Sequence, residues 1–71
     1  MAVRNRVREA RLRKGLTQES LAAMVGVTRQ TIIAVEKEKF IPSVKLALEL
    51  ARALDAPVAQ IFWLESAGGQ S

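Results

Sequence analysis

Thr17–Glu36, TQESLAAMVGVTRQTIIAVE, is the stretch whose reading decides the fold. It reads as two short helices joined by a tight turn at Gly26-Val27. Thr17 is placed to cap the first helix, because a side-chain oxygen there takes up a backbone N–H that has no partner within the helix. Glu19 falls in the first turn, where a carboxylate meets the positive end of the helix dipole. Leu21, Ala22 and Val25 share one face at helical spacing. Gly26 ends the helix, since glycine enters the left-handed conformation without a side-chain clash. Thr28 then caps the second helix, whose buried side is Ile32 and Val35. Its other side carries Arg29, Gln30, Ile33, Ala34 and Lys37. Such a face turns donors, an acceptor and two apolar groups outward, the chemistry that reads base edges in a DNA major groove.

Towards the N-terminus, a first helix is expected from Ala2 or Val3 to Lys14. Val3, Val7 and Ala10 share a face there with Arg11 on its edge, and Gly15 stops the helix while Leu16 packs back. Leu12 points away from that face, either as a lone exposed apolar residue or as part of a partner surface. Beyond the central stretch, Pro42 biases Ile41 out of helical geometry and Ser43 can cap the next helix. The connection is therefore a loop, with Phe40 and Ile41 expected to plug the underside of the core. Lys39 either reaches a phosphate or is an ordinary surface lysine.

A fourth helix is expected over Val44–Leu54, with Val44, Ala47, Leu50, Ala51 and Leu54 as its core stripe and Lys45, Glu49 and Arg52 in water. Leu46, Leu48 and Ala53 widen the apolar arc, so the helix is either central or covered on its flank by something outside the chain. A short fifth helix starts near Pro57, a residue suited to a first turn. Val58, Ile61 and Phe62 face inward from it, and Trp63 and Leu64 project from a different side. Large apolar groups at the end of so small a domain suggest an oligomer interface, for which Leu48, Ile61, Trp63 and Leu64 are the candidates. The alternative is that Trp63 folds back onto its own domain. No strand-like alternation is long enough to compete. The expected architecture is all-α: a compact five-helix domain over residues 1–65, followed by a small, polar, flexible tail over residues 66–71.

Composition narrows the chemistry. The chain has 71 residues with no cysteine and no histidine, which excludes disulfides, Cys/His zinc sites, thiol nucleophiles and imidazole catalysis. A domain of this size buries only about 60% of its unfolded surface, so helix packing, with dimerisation as a supplement, must stabilise it. Neither a signal peptide nor a membrane-spanning apolar run is evident, and a cytoplasmic location is expected. Eleven Lys and Arg oppose seven Asp and Glu, for a net charge of +4. Arg4, Arg6, Arg8, Arg11, Arg13 and Lys14 crowd the first fourteen residues, with Glu9 the only acid among them. A basic end of this kind suits a polyanion; alone, it equally suits a solvated face that keeps the protein soluble.

A further signal lies in particular residues: Gly15-Leu16-Thr17-Gln18, Leu21-Ala22, Gly26-Val27-Thr28, Ile32, Glu36, Pro42-Ser43, Leu50-Ala51 and Leu54. Together they resemble the phage-repressor (Cro/CI-type, or XRE) helix-turn-helix family over about residues 3–62, and the closing Ile61-Phe62-Trp63-Leu64-Glu65 is similar to the end of its short single-domain members. The resemblance implies a repressor-like domain that binds double-stranded DNA. It further implies that Gln18 contacts the DNA backbone and braces the recognition helix, that Arg29 and Gln30 read bases, and that Thr31 lies where phosphate contact is usual. It also implies a structural ion pair between Arg11 and Glu36. Residue chemistry agrees: arginine matches guanine O6 and N7, glutamine matches adenine N6 and N7, and Ile33 and Ala34 suit a thymine methyl. Thr28, Lys37, Lys39 and Ser43 complete the expected backbone contacts. Two positions depart from the family pattern: Glu38 replaces a glycine after the third helix, and Pro57 replaces a capping serine.

The expected function is a sequence-specific transcriptional regulator, a repressor that binds a palindromic operator as a homodimer without cofactor or small-molecule substrate. The competing expectation is a protein-interaction module, such as an antitoxin or anti-repressor partner, using the apolar flank at Leu48, Trp63 and Leu64. An enzyme is the weakest reading, because no nucleophile–base pair, metal cluster or phosphate loop is present.

Overall fold

A computed structural model describes residues 2–65. The elements run β1 (Ala2–Asn5), α1 (Val7–Arg13), α2 (Gln18–Val25), α3 (Arg29–Glu36), α4 (Val44–Ala53), α5 (Val58–Ile61) and β2 (Phe62–Glu65). Among the described residues there are five helices, but the fold is not purely helical, since β1 and β2 form a two-stranded antiparallel sheet. Its register pairs Ala2 with Glu65, Val3 with Leu64, Arg4 with Trp63 and Asn5 with Phe62. The expected tail over residues 66–71 lies outside the described residues.

Residue chemistry explains the helix ends. Thr17 caps α2 by accepting from the Ser20 N–H, and the Ser20 hydroxyl in turn accepts from the Thr17 N–H. Thr28 caps α3 through the Thr31 N–H, and Ser43 caps α4 through the Leu46 N–H. Gly26 takes φ 74° at the end of α2, and the following Val27 N–H reaches the Ala22 carbonyl at 3.0 Å. This is the left-handed closure that satisfies helix-end carbonyls. Glu38 and Asp55 close α3 and α4 in the same conformation, at φ 62° and 57°, although neither is glycine.

The core is Val7, Leu21, Ala22, Ile32, Val35, Leu46, Leu50, Ala51, Leu54 and Ile61, drawn from all five helices and the turn after α4. A fully buried Leu or Ile side chain contributes about 1.5–3 kcal/mol over an exposed one, so these ten positions dominate the folding energy.

Several expectations are corrected. Helix one begins at Val7 rather than Ala2 or Val3, because the preceding residues find a strand partner about sixty residues away. The fifth helix stops at Ile61, so Trp63 and Leu64 belong to a strand and the pleat separates them. Pro57 is the residue before α5, not its first turn. On α4 the expected Leu50, Ala51 and Leu54 are buried, but Leu46 joins them in place of Val44, which is 77% exposed at the helix start. Phe40 and Ile41 do not plug the core but stay exposed in the loop. Ile61 is 1% exposed and serves the core of its own domain, which removes it from the candidate interface.

Candidate nucleic-acid interface

α3 is held from beneath and open above. Ile32 and Val35 are fully buried, whereas Arg29 and Gln30 stand exposed on its first turn. Ile33 and Ala34 are half-buried between those two faces. Thr31 is also half-buried, and its hydroxyl lies 3.1 Å from that of Thr28. Lys37 follows the last turn as an exposed cap residue, and Lys39 is exposed in the loop. Thr28 and Ser43 are exposed with their hydroxyl oxygens engaged as caps.

The base of α3 is fixed by a buried ion pair. Arg11 and Glu36 side chains are 9% and 5% exposed, and Arg11 Nε donates to Glu36 Oε2 at 2.7 Å. Arg11 Nη2 reaches the second carboxylate oxygen at 3.3 Å, and its Nη1 donates to the Leu16 carbonyl at 2.9 Å. Gln18 Nε2 donates to the same carboxylate at 3.1 Å. One carboxylate thus joins α1, α2 and α3. Its charge is offset beside the exposed face, which leaves Arg29, Lys37 and Lys39 to set the local sign.

A second set of ties has no signal in the local sequence. Asn5 Nδ2 donates to the Val35 carbonyl at 2.9 Å, and Asn5 Oδ1 accepts from the Val7 N–H at 3.1 Å. Arg4 Nε donates to Glu38 Oε2 at 2.8 Å, and its Nη1 meets Glu65 on the facing strand. Hydrogen bonding to Glu38 first and Glu65 second raises the Arg4 guanidinium above its ordinary pKa. Such a group contributes stability below its unfolded pKa and loses it only as pH rises through the folded one, in strong alkali, and because the contact is exposed it is also screened by salt. Arg6 completes the strand region, with its guanidinium 5.2 Å from the centre of the Trp63 ring.

Among the described residues, no helix is long and apolar enough to cross a membrane, and no group of acidic residues could hold a metal ion.

A helix-turn-helix family model matches residues 7–61. The chain belongs to that family, in its XRE-type branch. It is a helix-turn-helix transcriptional regulator that binds DNA, and not an enzyme. Its similarity extends to two uncharacterized HTH-type transcriptional regulators. One, from Methanothermobacter thermautotrophicus, is 51% identical over 96% of this chain and all of its own length. The other, YgzD of Bacillus subtilis, is 46% identical over 89% of this chain and 96% of its own. Among solved structures, the restriction-modification controller protein C.AhdI of Aeromonas hydrophila superimposes with a TM-score of 0.72 at 39% identity, covering 76% of this chain and 78% of that one.

Proposed function

We propose that the chain represses transcription by occupying a palindromic operator as a homodimer, in the cytoplasm. The observation that carries this reading is the exposure of Arg29 and Gln30 on the first turn of a helix whose other end is buried and ion-paired. A rigid helix presenting its N-terminal residues suits insertion into a major groove. In the proposed complex Arg29 and Gln30 read base edges, with Ile33 and Ala34 against thymine methyls. Gln18, Thr28, Thr31, Lys37, Lys39 and Ser43 approach phosphates and hold the register. Two copies with recognition helices about 34 Å apart reach successive grooves on one side of the duplex. Leu48 and Leu64, 52% and 64% exposed, with Trp63 next to Leu64 in sequence, are the proposed contact between copies.

Selection of bound duplexes from a random pool, followed by titration at two salt concentrations, tests this. The expected result is an enriched palindrome whose affinity falls steeply with salt. Arg29→Ala should relax preference at one base position, a loss of about 1–3 kcal/mol in discrimination, whereas Lys39→Ala should weaken all sequences alike. A pool with no enriched sequence favours a protein-interaction module instead.

A further inference from the structure

α3 is eight residues long, about 12 Å at 1.5 Å per residue, with its proposed reading residues at one end and the Asn5 contact at the other. A tilt of about 5° at the held end moves the reading end by roughly 1 Å over that length. Displacement of that size is enough to spoil a bidentate hydrogen bond, whose strength falls steeply with distance and angle. Whatever fixes the C-terminal end of α3 therefore bears on what its N-terminal end can recognise.

Asn5 is placed for this. Its backbone is held in the strand ladder opposite Phe62, and the next residue continues the attachment, with the Arg6 N–H donating to the Ile61 carbonyl at 2.9 Å. From that fixed position its amide serves two helices at once: the N–H group binds the Val35 carbonyl near the end of α3, and the oxygen receives the Val7 N–H at the start of α1. Asparagine is one of the few side chains of this length that can donate and accept together. The adjacent Arg4 reinforces the attachment by holding Glu38, the residue that closes α3 in a left-handed conformation unfavourable to side chains.

We propose that Asn5 is a positioning residue for the recognition helix, tying the last turn of α3 to the terminal strands and thereby setting how sharply Arg29 and Gln30 discriminate among DNA sequences. The proposal rests on the DNA-reading role proposed for α3. Its test uses the full chain and two duplexes at one salt concentration: the sequence selected by the parent, and a random one. Asn5→Asp keeps the acceptor for the Val7 N–H and loses the donor to Val35. The expected result is a ratio of specific to non-specific affinity reduced about tenfold, the size of one weakened base contact, with a lowered urea midpoint that still leaves the variant folded and a non-specific affinity reduced only by the one added negative charge. A purely structural role would lower both affinities together. An unchanged ratio in a folded Asn5→Asp variant overturns the proposal. Should that variant fail to fold, Asn5→Ser, which carries neither an amide nor a charge, serves in its place: a comparable drop in the ratio supports the proposal, and an unchanged ratio overturns it. A parent that selects no sequence removes the DNA-reading role itself, and the proposal with it.

Discussion

The α2–α3 pair and the β1–β2 ribbon both bear on the recognition helix, and they are built from different forces. α2 and α3 meet across eleven residues of sequence through fully buried Leu21 and Ile32, with capped starts and a carboxylate shared among three helices. The ribbon joins residues near opposite ends of the described chain, its outer positions are exposed, and its ties to α3 are an amide and a solvent-exposed ion pair. Burial makes the first region stiff and costly to disturb. The second gains little from burial, so changes in it adjust the position of α3 more readily than they unfold the domain. One region thus fixes that a recognition helix exists, and the other adjusts how it is aimed.

The largest expected effect tests the stiff half. Glu36→Ala leaves Arg11 buried without its carboxylate and deprives Gln18 of its acceptor, at a cost of about 3–5 kcal/mol. In a domain with about 5–15 kcal/mol in total, this is a large loss, read as a drop in urea midpoint at unchanged slope. The paired replacement Arg11→Met with Glu36→Leu should recover most of it, because no charge is then left buried. A single-variant cost under about 1 kcal/mol would place the ion pair in the same soft class as the exposed Arg4 contacts and erase the contrast.

Smaller effects are expected on the ribbon. Trp63→Ala removes the partner of the Arg6 guanidinium and the residue opposite Arg4 on the facing strand. The cost to a single copy is about 1 kcal/mol, from one cation–π contact and one cross-strand pair. Because Trp63 also belongs to the proposed contact between copies, sedimentation of the variant should give a monomer where the parent is a dimer. An unchanged mass would take Trp63 out of that interface and leave it a purely internal ribbon residue.

These differences also explain how much of the molecule is legible in the chain alone. Thr17, Gly26 and Thr28 act on neighbours within five residues, so capping and turn chemistry predict the helix starts and the stop after α2. Exposure of Arg29 and Gln30 follows from the phase set by Ile32 and Val35. The ribbon is invisible to such rules. Four residues at each end show no alternation that a window could separate from helix, and their pairing joins positions about sixty apart. Asn5 escapes local reading because its role depends on that distant pairing. Leu50, Ala51 and Leu54 are legible as the core stripe of α4, but its first turn is misread for a local reason: leucines at 46, 48 and 50 allow more than one helical face, and only the packing partners choose Leu46 over Val44.

The finest expected effect separates two helix ends that look alike. Asp55 and Glu38 both hold left-handed backbone, at φ 57° and 62°, a conformation that side-chain-bearing residues disfavour. Asp55→Gly should relieve that strain and, after the added freedom of glycine in the unfolded chain, leave a gain of at most about 1 kcal/mol. Glu38→Gly should give the same backbone relief but also lose the carboxylate that holds Arg4, so its gain should be the smaller of the two. The difference in urea midpoint between the variants isolates what the ribbon's tie to α3 contributes, and raising the salt concentration should shrink that difference because the pair is exposed. Should Glu38→Gly prove as stable as Asp55→Gly at low salt, the ion pair would add nothing to folding. The ribbon's hold on the end of the recognition helix would then rest on Asn5 rather than on Arg4.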